Sequence, residues 1–186
     1  SATTALSADS GELLALFIAA ATELVDQGAD GITTSCGFLS LFQNELRSAI
    51  RVPVATSSLM QAPWVQALFP TGKCVGVLTF HAKHLTADHL IAAGARLNTP
   101  VAGTENRNEF TRLILADEPH MDFVACRVDN LEAARELLRQ HPDIGAIVLE
   151  CTKMVPYAAN IRKRTGLPVF SIYTLINWFQ SGLVPR

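Results

Sequence analysis

Two segments of this chain repeat one pattern, and each places a cysteine at the same point in it. The first reads DGITTSCGFLSLFQNELRSAIRVPVATSS and the second GAIVLECTKMVPYAANIRKRTGLPVFSIY. In each, an apolar run ends on the cysteine, a helical stretch follows, and a Pro-Val strand comes next. Cys36 precedes Pro53 by 17 residues, and Cys151 precedes Pro168 by the same 17. Each segment then leads into a helix carrying a tryptophan, Trp64 or Trp178. Repetition of this kind predicts two similar half-domains related by an approximate two-fold axis. Such an axis brings two strand-end thiols face to face across one cleft. That arrangement suits removal of a proton on one side of a small substrate and its return on the other.

Short apolar strands and amphipathic helices alternate along the chain. Asp9 and Glu12 form a capping box for a helix with Leu13, Phe17, Ala21 and Leu24 on one face, ended by Gly28. GITTSC reads as a strand, and Phe38 to Ile50 as a helix with Leu39, Phe42, Leu46 and Ile50 aligned. VPVATS is a strand, followed by a helix from about Leu59 to Phe69. CVGVLTF, from Cys74, is the clearest strand. A helix from His84 to Ala95, a strand at TPVAG and a helix from Asn108 to Ala116 come next. Asn130 caps a helix from Leu131 to Gln140, and AIVLEC is a strand. A helix from Val155 to Arg164, the strand PVFSI and a helix from Leu175 to Gln180 close the pattern.

This alternation predicts an α/β chain of two pseudo-symmetric lobes with parallel sheets flanked by helices. Ligands in such sheets bind beyond the carboxyl ends of the strands, here in the inter-lobe cleft. The first lobe is expected over 1–59 plus 173–180, and the second over 60–172. The first has no opening strand comparable to CVGVLTF and the chain has no initial methionine, so an N-terminal strand reads as missing. The closing SGLVPR, residues 181–186, reads as the remnant of a thrombin-cleavable tag.

Composition excludes several classes of partner. The 186 residues suit one compact domain or two small lobes sharing a core. With a net charge of -2 and 17% charged residues, nothing points to nucleic acid or an anionic membrane. No apolar run approaches the ~18 residues that span a bilayer. Four cysteines without close pairing, and no signal sequence, indicate reduced thiols and a cytoplasmic location. There is no glycine-rich phosphate loop, no Gly-x-Ser-x-Gly elbow and no CxxC pair.

A cysteine between a strand end and a helix start faces unpaired backbone N–H groups and the positive end of the helix dipole. Both favour the thiolate, which lowers the pKa from its ordinary ~8.5. The same N–H groups suit a carboxylate. Gly37 lets the backbone come close, Thr152 adds a hydroxyl, and Lys153 offers an anchor for an anion. Phe38, Ser57 and Thr79 complete the expected substrate-binding set. A lone small cysteine at a strand end is ordinary packing; two at equivalent positions argue for catalysis by Cys36 and Cys151. Cys74 and Cys126 read as core residues. His81 and His84 flank Lys83 in a loop; with His89 they have no further ligand cluster, so neither metal nor cofactor is expected. Glu150 is expected to point to the opposite side of its strand from Cys151, in a supporting role.

The layout resembles the aspartate/glutamate racemase superfamily, the cofactor-independent group with glutamate, aspartate and hydantoin racemases, arylmalonate decarboxylase and maleate isomerase. The motifs are Thr34-Ser35-Cys36-Gly37, Glu150-Cys151-Thr152-Lys153 and the central CVGVLTFHAKH, in that family's order from about Asp9 to Gln180. The resemblance implies a cofactor-independent racemase or isomerase acting on a small carboxylate or amino-acid-like substrate, with Cys36 and Cys151 as acid and base. A decarboxylase, lyase or cis-trans isomerase of the same group is the alternative, beside a non-catalytic small-molecule binder. It also implies a homodimer. Where amino-acid racemases carry Cys-Asn-Thr, this chain has Cys36-Gly37-Phe38. Arylmalonate decarboxylase has a glycine-rich first site too, but keeps only the second cysteine.

Overall fold

The computed structural model describes residues 10–185, so the Asp9 half of the expected capping box lies outside the described residues. Within them, strand β1 (Ile32–Thr33) pairs in parallel with β2 (Val54–Ala55). Strands β3 (Cys74–Thr79), β4 (Val101–Gly103), β5 (Ile144–Leu149) and β6 (Val169–Phe170) form a second parallel sheet in the order β4-β3-β5-β6. The sheets are covered by helices α1 (Ser10–Asp26), α2 (Gln43–Ala49), α3 (Ala62–Ala67), α4 (Ala87–Ala92), α5 (Phe110–Ala116), α6 (Phe123–Gln140), α7 (Ala158–Thr165) and α8 (Ile172–Leu183). No helix among the described residues is long and apolar enough to cross a membrane.

The pairing register makes the repeat concrete. Ile32 pairs with Val54, and Ile147 with Val169, partners 22 positions apart in both units. Each cysteine lies four residues beyond the first member of its pair. In both units a 3-10 helix follows, Gly37–Phe42 or Thr152–Tyr157, and then α2 or α7. The single helices expected from Phe38 and from Val155 are therefore each split into a tight turn and an α-helix. Trp64 and Trp178 meet with ring centroids 4.2 Å apart, so the helices that follow the two units touch at the tryptophans.

β5 carries the main core, since all six of its residues are buried. It packs between β3 and β6, with Leu137 of α6, Met154, Tyr157 and Ile161 fully enclosed around it. A smaller core joins Ala21 and Val25 of α1 to Ile32, Leu46, Ile50 and Val54.

The helix expected from Leu59 to Phe69 is likewise a 3-10 turn followed by α3, the one expected from His84 to Ala95 is shorter, the one expected from Leu175 to Gln180 is longer, and the largest difference is in α6. α6 begins at Phe123, where the Asp122 carboxylate accepts from the N–H groups of Val124 and Ala125 at 2.9 Å each. Asn130, expected as the cap, is buried inside the helix and donates its amide to the Cys126 carbonyl at 2.8 Å. Cys126, Ala133, Ala134 and Leu137 all face the core across it. Packing of that continuous face overrides the local preference of asparagine for a cap.

Candidate active site

β1 and β5 stop just short of their cysteines, so each cysteine sits beyond the carboxyl end of a strand, in the residue position that precedes a 3-10 helix, without a capping hydrogen bond from its side chain. Cys36 and Cys151 are both half-buried, and both line one cavity of about 570 Å³, a size ordinary for a small-molecule site. Two hydrogen bonds hold the units around it. The Thr152 hydroxyl donates to the Ser35 carbonyl at 2.8 Å, and the Ser58 hydroxyl donates to the Leu149 carbonyl at 2.6 Å. The opposite wall is α1, which presents Leu13, Phe17, Ala21 and Leu24 to the cavity. That apolar stripe is therefore largely a wall of the cavity; the neighbouring stripe with Leu14, Ile18 and Val25 packs into the smaller core.

Glu150, expected in a supporting role on the opposite side of its strand from Cys151, also lines this cavity. The regular strand ends at Leu149, so simple alternation does not carry through to the cysteine. Leu78 pairs with Leu149, which puts Thr79 beside Glu150, and the Thr79 hydroxyl donates to Glu150 Oε2 at 2.6 Å. Glu150 is fully buried, and its Oε1 has no hydrogen-bond partner.

Gly37 makes room for this carboxyl. A Cβ at Gly37 would lie 2.2 Å from Glu150 Oε1 and 2.6 Å from the Glu150 carbonyl oxygen. The backbone carbonyl cannot move aside as a flexible side chain would. Gly37→Ala is expected to lower stability by about 1–3 kcal/mol in denaturant titration, with turnover falling as well. An unaltered unfolding midpoint and activity would contradict this account of the glycine.

Burial pushes the Cys36 thiol up to about 11, and the Glu150 charge adds to the rise, while the N–H groups of Phe38 and Leu39 act the other way. Cys151 is raised further by burial, then by Glu150, against the Lys153 N–H. The lowered thiol pKa expected from the helix starts is thus overturned. The N–H groups do favour thiolate, but desolvation and a neighbouring carboxylate outweigh them. Burial raises Glu150 itself to about 7, with the Thr79 hydrogen bond opposing.

No protein-family model matches the chain. It is 29% identical over 165 residues to a dimethylsulfoniopropionate lyase of Durusdinium sp. clade D, covering 86% of this chain and 54% of that protein. It is 31% identical over 178 residues to dimethylsulfoniopropionate lyase 3 of Emiliania huxleyi, covering 90% and 46%. The chain spans about half the length of these curated relatives. Among solved structures, a variant of arylmalonate decarboxylase in a sulfate-associated form superposes with a TM-score of 0.65 at 16% identity, covering 96% of this chain and 77% of that one. A glutamate racemase of Bacillus anthracis gives 0.61 at 15% identity, covering 96% and 70%. Allantoin racemase of Pseudomonas fluorescens gives 0.61 at 21%, covering 91% and 69%. The chain has the fold of the aspartate/glutamate racemase superfamily.

Within this racemase fold, the expected site residues divide into two groups. Cys36, Gly37, Cys151, Thr152 and Lys153 line the cavity together. Phe38 turns into the core, where its ring meets Phe80 at 5.3 Å and His89 at 5.0 Å. Ser57 is buried and accepts from the Leu59 N–H at 3.2 Å, which makes it the cap of the 3-10 helix Ser58–Gln61. Thr79 is behind the cavity and reaches it only through Glu150. His81 and His84 stack on each other at 3.8 Å and are not part of the lining. Cys126 is buried, and Cys74 is half-buried against the main core. Glu150 is the residue that sequence reasoning left out of the site. Its signal is the glycine after Cys36, a position that holds no side chain because another group fills the space.

Proposed function

We propose that this chain is a cofactor-independent lyase that removes a proton from the carbon next to a small carboxylate and expels a leaving group from the adjoining carbon. Dimethylsulfoniopropionate is the substrate proposed. The observation that carries the reading is the convergence of two repeat-related thiols and one buried carboxyl on a single cavity. The names of the curated relatives support the choice of lyase. Lys153 and the N–H groups after each cysteine hold the substrate carboxylate, and Phe17 and Phe80, both on the lining, are the aromatic side chains for a sulfonium cation. A thiolate takes the proton, the carbon–carbon double bond forms, and the carbon–sulfur electron pair leaves with dimethyl sulfide. The products are acrylate and one proton. The second thiol, neutral, donates to the charge that builds on the substrate carboxylate.

Racemisation is the second reading, favoured by the equivalent placement of both thiols, because it needs an acid and a base on opposite faces of one carbon. Incubation with dimethylsulfoniopropionate decides between them. Equal amounts of dimethyl sulfide in the headspace and acrylate in solution are expected. No release of either, with loss of optical activity from a chiral amino acid or hydantoin, would replace the lyase reading by the racemase one.

A further inference from the structure

Besides the thiols, the cavity lining carries Glu150, Lys153 and Asp117 as charged residues. Glu150 is fully buried, whereas Lys153 and Asp117 are exposed, so the two that reach solvent are one cation and one anion. Lys153 comes from the 3-10 helix after Cys151, and Asp117 from the end of α5. Asp117 stands there against its local chemistry. It is the C-cap of α5 with φ 52° and ψ 41°, and its N–H donates to the Leu113 carbonyl. Among the described residues it is the one non-glycine position with a positive φ, a conformation that glycine adopts more freely. A carboxylate is also the wrong charge for the carbonyl end of a helix. The adjoining Glu118 is compensated by Arg112. The Asp117 carboxylate forms no ion pair with any described residue. An unpaired charge at a locally unfavourable position, on the wall of a cavity, is placed for a ligand more than for the fold.

We propose that the Asp117 carboxylate is the counter-charge for the cationic end of a zwitterionic substrate, and that it selects such a molecule over an uncharged-ended one of the same shape. This rests on the lyase reading for the identity of the substrate but not for the charge selection itself. Dimethylsulfoniopropionate holds its sulfonium two carbons from its carboxylate group. With Lys153 on the carboxylate, Asp117 takes the sulfonium, beside the aromatic residues Phe17 and Phe80 of the same lining. Elimination converts the sulfonium to neutral dimethyl sulfide as the carbon–sulfur electron pair leaves. The attraction to Asp117 is therefore full in the bound substrate, fades toward the transition state and is gone in the product. An interaction of that kind contributes to binding and not to the chemical step. Asp117 is a specificity residue on this account, and the proton transfer stays with the thiols.

Two molecules with the substrate's skeleton test this without turnover. N,N-dimethyl-β-alanine puts a cationic ammonium where the sulfonium stands, and 4-methylpentanoate puts an uncharged CH there. Calorimetric titration gives a Kd for each, and their ratio is compared between proteins, which cancels the different hydration of the two ligands. In Asp117→Asn the ratio is expected to shift by about three- to fivefold toward the uncharged compound, the size of one solvent-exposed charge pair. Asp117→Gly should shift it equally. Asparagine and glycine both accept the left-handed conformation, so neither variant strains the end of α5. Glu118→Gln removes the adjoining carboxylate, which is not on the lining, and should leave the ratio as in the wild type. In turnover of dimethylsulfoniopropionate, Asp117→Asn is expected to raise KM by the same factor without lowering kcat, a split that a purely structural role does not produce. A ratio unchanged in both Asp117 variants overturns the proposal, as does an equal shift in Glu118→Gln or a fall in kcat at unchanged KM. Binding of the two compounds needs no reaction, so a ratio that shifts in a protein releasing no dimethyl sulfide retains the charge selection and refutes only the lyase reading.

Discussion

Cys36→Ser and Cys151→Ser are each expected to lower kcat/KM by about 10²–10⁴-fold, the range supplied by a positioned acid or base. A serine hydroxyl neither ionises nor donates as a thiol does near neutral pH, and the other side chains beside the two thiols on the cavity, Thr34, Ser35 and Thr152, are hydroxyls with the same limitation. Exchange in deuterated water separates the two reactions. Elimination uses one base, so only one of the two variants should retain exchange at the carbon next to the carboxylate, and neither should invert a chiral substrate. Racemisation predicts complementary exchange, each variant acting on the enantiomer that faces its remaining thiol. Retention of full activity by both variants would remove the thiols from the mechanism.

Glu150→Gln is expected to gain stability relative to the wild type as the pH rises through neutrality. In the folded state the Glu150 pKa is raised to about 7 from an ordinary 4.5, so the folded protein binds this proton more tightly than the unfolded chain does. The stability this contributes is fully present below about pH 4.5 and is lost as the pH rises through about 7. With one pKa unit equal to about 1.4 kcal/mol, the loss over that window is about 3 kcal/mol. Glutamine does not titrate, so the difference in unfolding free energy between variant and wild type should shift by about 3 kcal/mol in favour of the variant from pH 4.5 to pH 8. The window stops at pH 8 because the cysteines of the unfolded chain, with an ordinary pKa of about 8.5, begin to titrate above it. Denaturant titrations of both proteins at the two pH values check this, and parallel curves would show that Glu150 ionises as freely in the fold as in water.

Much of the fold was legible because it rests on local spacing. Apolar runs ending at Cys36 and Cys151, helical stripes such as Leu39-Leu46-Ile50, and Pro-Val strand starts each reflect the periodicity of a few consecutive residues. α6 shows where that reading fails: Asn130 has the chemistry of a cap, but Asp122 further back takes the part because the buried face from Cys126 to Leu137 is continuous. α1 shows a subtler failure. Its stripe of Leu13, Phe17, Ala21 and Leu24 is apolar, and sequence cannot distinguish a stripe that fills a core from one that walls a cavity.

By itself, then, the sequence determined the repeat, the equivalence of Cys36 and Cys151, and the order of strands and helices, since each is written in spacings along the chain. Only the tertiary structure decided the company those thiols keep. The Glu150 carboxyl lies beside Gly37 because β5 is in register beside β3 and because that glycine, from the other unit, leaves space for it. The direction of the thiol pKa values follows from that contact and from burial, against the pull of the local N–H groups. Desolvation and charge depend on everything within a few ångströms regardless of position in the chain, so no local pattern records them.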